Sequence, residues 1–116
     1  MHELSLCADL MDQVMTIAKA HHAEKVVRIT VRIGPLSGIE PLLLESAFII
    51  SRACTLAEEA EFITEALPIR VLCNDCGAES EATVNNLVCG KCDSYNTSLV
   101  SGDELILARV ELENAD

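Results

Sequence analysis

Apolar residues near the start of the chain recur at helical spacing. Leu4, Cys7, Met11, Val14 and Ala18 fall 3, 4, 3 and 4 residues apart, and Leu10 and Ile17 widen the stripe. Ser5, Asp9, Asp12, Thr16 and Lys19 lie opposite, so the pattern predicts an amphipathic helix over residues 4–20. Glu3 falls in its first turn, where the helix dipole favours an anion. The period then drops to two. In "KVVRITVRI" (25–33), Val27, Ile29, Val31 and Ile33 alternate with Val26, Arg28, Thr30 and Arg32, which predicts a strand with one buried and one mostly wet face. Gly34-Pro35 and Gly38 mark a turn-rich loop. Pro41 suits the first position of a second helix, with Glu40 just before it. Leu43, Ala47, Ile50 and Cys54 repeat there at helical spacing, and Leu44 and Phe48 broaden that face. "EFITEAL" (61–67) predicts a further strand, ended by Pro68. "ELILARVEL" (104–112) predicts the last one, with Ile106, Ala108, Val110 and Leu112 on one face.

Between these elements the composition shifts. Cys73 to Thr97 holds four cysteines, two of the five glycines and Asn74, Asn85, Asn86 and Asn96, with few large apolar residues. Such a segment buries too little surface to fold unaided. It reads as an insertion, after which the last strand returns to the first domain's sheet. The expected class is α+β: two helices packed on a small mixed or antiparallel sheet, with an inserted zinc-ribbon-like lobe. Residues 1–68 plus 102–116 form the first domain and residues 69–101 the insertion.

Composition narrows the partners. A chain of 116 residues is one domain, or one with a small appendage. Half of it is apolar, but only Phe48, Phe62 and Tyr95 are aromatic, so the core must be built from Leu, Ile, Val and Ala. No apolar run approaches the roughly 20 residues of a membrane span. The N-terminus lacks the basic segment of a signal peptide, and Asp9 and Asp12 interrupt its apolar residues. The expectation is a soluble cytoplasmic protein with no membrane span. Eight basic residues against 19 acidic ones, a formal charge of −11, argue against nucleic acid. Cations and basic protein surfaces suit such a chain better.

The insertion carries Cys73-Asn74-Asp75-Cys76-Gly77 and Cys89-Gly90-Lys91-Cys92, two C-x2-C pairs separated by twelve residues. Two intervening residues let both thiolates of a pair reach one ion from a tight turn, with Gly77 and Gly90 expected to supply backbone freedom. Four thiolates make a closed tetrahedral shell that suits structural Zn(II) and leaves no open position for catalysis. An iron site with four thiolates is the rival. Disulfides do not suit a cytoplasmic chain, and a redox pair needs one C-x2-C opening a helix rather than two facing each other. Cys7 and Cys54, on apolar helix faces, read as small buried thiols. His21 and His22 read as solvent residues at a helix end.

The first residues leave two readings. His2 is either part of a loose chain end or a ligand that works because it is terminal. The Met1 α-amine, the His2 amide nitrogen and His2 Nδ1 close a five- and a six-membered chelate ring. These three nitrogens lie in one plane, an arrangement that suits Ni(II) or Cu(II). Glu40 comes near if both helices pack on one face of the sheet.

"MHELSLC" at the start, "RIGPLSGIEP" after the first strand and the C-x2-C-x12-C-x2-C insertion, in that order, resemble the HypA/HybF family of nickel metallochaperones. The resemblance covers essentially the whole chain. It implies a nickel-binding α/β domain with a zinc lobe inserted before the final strand. It also implies delivery of Ni(II) to [NiFe]-hydrogenase, with the GTPase HypB and the hydrogenase large subunit or its maturation complex as partners. The implied nickel ligands are Met1, His2 and Glu3, with Glu40 where some relatives have a carboxylate. Cys73, Cys76, Cys89 and Cys92 match the family's zinc ligands. No nucleophile–base pair or phosphate-cradling loop points to an enzyme; Gly34 and Gly38 are too few and lack a lysine. The rival function is a zinc-ribbon protein-interaction adaptor that carries no nickel.

Overall fold

A computed structural model describes residues 3–114. Its elements run α1 (Glu3–Ala20), β1 (Ala23–Ile33), α2 (Pro41–Ser51), β2 (Glu61–Ala66), β3 (Ile69–Cys73), β4 (Glu79–Ala82), β5 (Thr97–Ser101) and β6 (Leu105–Asn114). The class is α+β with two helices, as expected, and the strands form two small sheets. Among the described residues no helix is long and apolar enough to cross a membrane. The chain divides into two compact units. One comprises Met1–Val31, Glu40–Glu65 and Ile106–Asp116, the other Arg32–Ile39 and Ala66–Leu105.

In the first unit β1 is the middle strand of the order β2-β1-β6. Arg28 on β1 shows why that order is favourable: its guanidinium reaches Glu61 of β2 at 2.7 Å and Glu111 of β6 at 2.8 Å. α1 packs against α2 and buries Cys7, Leu10, Met11, Val14 and Ala18. Leu4, the first member of the predicted stripe, stays half exposed at the helix start. His21 and His22 follow the helix in an exposed turn, with His22 in the left-handed region at φ 55. Ile29, Val31 and Ile33 are buried as the alternation of β1 predicts. At its start the pattern inverts: Val26 is fully buried and Val27 is 39% exposed. There the Val26 N–H donates to Leu56 O at 2.9 Å, which ties the loop after α2 to this end of β1.

The helical stripe of α2 also sits differently from expectation. Leu44, Ala47 and Phe48 are buried, whereas Leu43 and Ile50 are exposed. The aromatic contact sets this rotation: the Phe48 ring stacks on Phe62 of β2 with centroids 4.5 Å apart. The helix ends at Ser51 with Arg52 as its cap, so Cys54 lies beyond it, exposed and at φ 61. Cys54 is therefore no buried helix thiol; Cys7 is. On β6 the predicted face is only weakly expressed, with Ile106 and Ala108 exposed and Val110 and Leu112 half buried, as suits an edge strand.

The second unit is built on the antiparallel order β4-β3-β5. Leu72 faces Glu79 on β4 and Ser98 on β5, and the register slips between Arg70 and Val71. Its small apolar centre is Ile33, Leu67, Ile69 and Val71. The loop after β1 belongs here because its backbone pairs with the turn before β6. Gly34 N–H donates to Glu104 O at 2.8 Å, and Leu36 N–H donates to Gly102 O at 2.7 Å. A Cβ on Gly34 would lie 2.2 Å from Gly102 O, so only glycine permits this approach.

Candidate metal centre

The two C-x2-C pairs fold into nearly identical turns. In the first, Cys73 N–H donates to Ala78 O at 2.9 Å and Gly77 N–H donates back to Cys73 O at 3.0 Å. In the second, Cys89 N–H donates to Ser94 O at 2.9 Å and Asp93 N–H to Cys89 O at 3.0 Å. The leading sulfur of each turn accepts two backbone donors. Asp75 and Cys76 N–H reach Cys73 Sγ at 3.4 and 3.3 Å, and Lys91 and Cys92 N–H reach Cys89 Sγ at 3.3 and 3.4 Å. Both turns need a left-handed residue directly after the second cysteine. Gly77 fills that place at φ 78 and Asp93 at φ 61. Gly90, expected to supply backbone freedom, does not have a positive φ. It is small for another reason: its N–H donates to Ser80 Oγ at 2.9 Å, and a Cβ there would lie 3.3 Å from Ser80 Cβ.

The turns face each other. Cys73 Sγ lies 3.5 Å from Cys92 Sγ and Cys76 Sγ 3.6 Å from Cys89 Sγ, and all four sulfurs fall within 4.8 Å of one another. A tetrahedral ion with metal–sulfur bonds of about 2.3 Å sets its sulfurs about 3.8 Å apart, so the four thiols fit such a shell. Polar side chains clamp the turns together. The Asp75 carboxylate accepts from Ser94 Oγ and, at 3.0 Å, from Asn96 Nδ2. Asn74 Nδ2 reaches Asn96 Oδ1 and Ser98 Oγ, each at 3.2 Å. Composition alone marks these asparagines as part of an apolar-poor segment; Asn74 directly after Cys73 and Asn96 four residues after Cys92 place an amide beside each turn.

Electrostatics divides the four thiols. The N–H groups of Cys92 and Lys91 stabilise the Cys89 thiolate and hold its pKa at about 6. The Cys76 and Asp75 N–H groups likewise lower that of Cys73. The Ser94 N–H favours the Cys92 thiolate too, but the Cys73 sulfur, burial and the other sulfurs prevail and push Cys92 up to about 12. Four thiolates this close repel one another, and a cation at their centre is what lets all four ionise.

The other predicted ligands are not gathered in this way. Met1 and His2 lie outside the described residues. Glu3 opens α1 and, with Leu4, Leu43, Ser46, Ala47 and Ile50, lines a shallow cavity of about 310 Å³. Glu40 does not line it. It is the N-cap of α2, its carboxylate accepting the Leu42 N–H at 3.4 Å. Among the described residues the four cysteines are the cluster of metal-ligating side chains.

The family described as "Hydrogenase/urease nickel incorporation, metallochaperone, hypA" matches residues 1–112. A hydrogenase maturation factor HypA from Aquifex aeolicus is 42% identical over 113 residues, 97% of this chain and 98% of its own. Its namesake from Nitrosospira multiformis is 46% identical over 112 residues, 97% of each chain. The solution structure of the Ni metallochaperone HypA from Helicobacter pylori superposes with a TM-score of 0.75 at 29% identity, over 99% of this chain and all of that one.

Proposed function

The chain belongs to the HypA family of nickel-incorporation metallochaperones, and from that premise we propose that it carries Ni(II) on Met1, His2 and Glu3 for hydrogenase maturation. The observation that carries this reading is Glu3 in the first turn of α1, next in sequence to Met1 and His2. In this scheme the chelate keeps an open edge, at which a receiving protein can exchange ligands one at a time. The proposed hand-over is to the GTPase HypB and the hydrogenase large subunit or its maturation complex. Residues 1–68 and 102–116 carry the cargo in this scheme. Zn(II) on Cys73, Cys76, Cys89 and Cys92 orders residues 69–101. The proposed setting is the cytoplasm, where thiols stay reduced, and the role is carriage rather than catalysis. Glu40 is the weakest member of the ligand set, because its carboxylate already serves the helix cap.

Titration of Ni(II) into zinc-loaded protein tests the reading. One equivalent should bind, with affinity falling as pH drops because the amine and amide must lose protons. His2→Ala should abolish this binding and leave zinc content unchanged. An uncleaved N-terminal tag should do nearly the same with His2 present, because it converts the Met1 amine into an amide. Full nickel affinity in both proteins would overturn the terminal site and place the nickel on other residues, whereas a parent protein that binds no nickel would favour the zinc-ribbon adaptor.

A further inference from the structure

The second helix carries apolar residues on its outer as well as its inner face, with Glu45, Ser46 and Ser51 its polar residues. Leu44, Ala47 and Phe48 face the core, but Leu42, Leu43, Ile49 and Ile50 point outward, 70%, 55%, 59% and 66% exposed. A helix with apolar residues all round is normally buried, and an exposed aliphatic cluster of this kind marks an interaction surface. Position explains how the four join: Leu42, Ser46 and Ile49 form one ridge, with Leu43 and Ile50 along its side. Leu4, 52% exposed, extends the cluster onto the start of α1. Ser46, between Leu42 and Ile49 on that ridge, donates its hydroxyl to Leu42 O at 3.1 Å. The border is acidic: Glu3 lines the cavity beside Leu43 and Ile50, Glu40 caps the helix start and Glu45 lies within the helix.

We infer that this outer face of α2 is the docking surface for a protein segment with an aliphatic stripe and a basic border, such as an amphipathic helix bearing Leu and Lys or Arg. Charge selects that occupant over a second copy of this chain, since each copy brings a formal −11 and the same acidic border. Size agrees. A stable dimer takes about 800 Å² from each partner, whereas α2 has 11 residues and is about 16 Å long. The surface suits a transient partner. The inference deepens the docking proposed above and rests on that reading only for the partner's identity. Because Glu3 borders the patch, an occupant of α2 arrives beside the first turn of α1, where the cargo is proposed to sit.

The test uses the full zinc-loaded chain without nickel and an 18-residue synthetic Leu/Lys amphipathic helix, with its Leu/Glu counterpart as control. The Leu/Lys peptide should shift the amide resonances of residues 42–50. Leu42→Ser with Ile49→Ser should weaken it by about tenfold or more, as expected for losing two buried aliphatic contacts. Both side chains are exposed, so this variant should melt where the parent does. Glu58→Gln with Glu59→Gln, which removes charge elsewhere, should leave binding intact. Equal binding by the Ser variant, or shifts spread over the acidic surface, would overturn the inference. So would a dimer seen by sedimentation and abolished by the Ser substitutions, since the occupant would then be a second copy. The GTPase separates the two proposals. If it binds parent and Ser variant alike, α2 is not its dock and this inference fails while the partnership stands. If it binds neither while the peptide behaves as expected, the partnership fails and the surface stands.

Discussion

In the first unit Cys7, Val14, Val26, Leu44 and Phe48 are almost completely removed from solvent, and each touches the core through side-chain packing. Between Cys73 and Thr97 only Cys73 and Cys89 are buried, and what surrounds them is backbone N–H, hydroxyl and amide. The same residue type therefore behaves in opposite ways in the two regions. Burial pushes the Cys7 thiol up, partly countered by a hydrogen bond with Ser51, so it stays neutral and packs like a small apolar side chain. Backbone donors pull Cys73 and Cys89 down toward thiolate. One region coheres by excluding water from carbon. The other coheres by placing four sulfurs where a cation can join them.

Removing the metal should therefore separate the two regions most sharply. Structural zinc contributes on the order of 10 kcal/mol to folding a small domain around four ligands. A strong chelator, or Cys76→Ala or Cys89→Ala, should abolish amide-exchange protection between residues 73 and 97. Most of the helical circular dichroism, which comes from α1 and α2, should persist. One equivalent of zinc should accompany the purified parent protein and be lost from both variants. Zinc retained in full by both would break the distinction.

The converse lesion is Phe48→Ala. It removes a side chain that is 1% exposed and stacked on Phe62, and the cavity left behind should cost about 3–5 kcal/mol. Urea unfolding followed by helical signal should show that loss, while zinc content stays at one equivalent. Zinc loss in parallel would mean the regions are held by common contacts rather than by different ones.

This division also explains what could be read from the sequence. Where packing holds the chain, periodicity reports it: the 3-4 spacing of Cys7, Met11, Val14 and Ala18 and the alternation of Ile29, Val31 and Ile33 correspond to buried positions. It fails where one distant contact sets an element's rotation. Nothing local in residues 41–54 announces that Phe48 stacks on Phe62, so spacing predicts a stripe of Leu43, Ala47, Ile50 and Cys54 broadened by Leu44 and Phe48, of which only Leu44, Ala47 and Phe48 are buried. In the lobe, cysteine spacing does the work of periodicity. It brings Cys73, Cys76, Cys89 and Cys92 together, but it is silent on β3, β4 and β5, which are only four or five residues long.

A smaller effect tests the two kinds of thiol directly. Because the folded-state pKa of Cys7 is raised, its neutral form contributes stability that is present below the ordinary thiol pKa of about 8.5. That contribution is lost as pH climbs through the higher folded value. The urea midpoint of the first unit should accordingly decline above about pH 9. At neutral pH, brief alkylation of zinc-loaded protein should label the exposed Cys54 alone, sparing Cys7 by burial and the other four by coordination. Mass spectrometry after brief treatment should find one label; rapid labelling of Cys7 would contradict its place in the core.

The smallest expected effect compares the two cysteine turns with each other. They share the same hydrogen bonds, and they differ in which residue occupies the left-handed place after the second cysteine: Gly77 in one, Asp93 in the other. A Cβ is strained in that conformation, although aspartate tolerates it better than alanine does. Gly77→Ala should thus lower the stability of the zinc-loaded lobe by about 1 kcal/mol, and it meets no steric obstacle, since no atom lies within 4 Å of the added Cβ. Asp93→Ala should also destabilise, by less, because the starting residue already bears part of the strain. Asp93→Gly relieves that strain but gives the unfolded chain more freedom, and the two terms nearly cancel to within about 0.5 kcal/mol. The ordering Asp93→Gly, then Asp93→Ala, then Gly77→Ala in increasing loss can be read from thermal midpoints of the lobe at fixed zinc. If Asp93→Gly proved the most damaging of the three, Asp93 would be holding its turn through its carboxylate, and the two turns would not be equivalent.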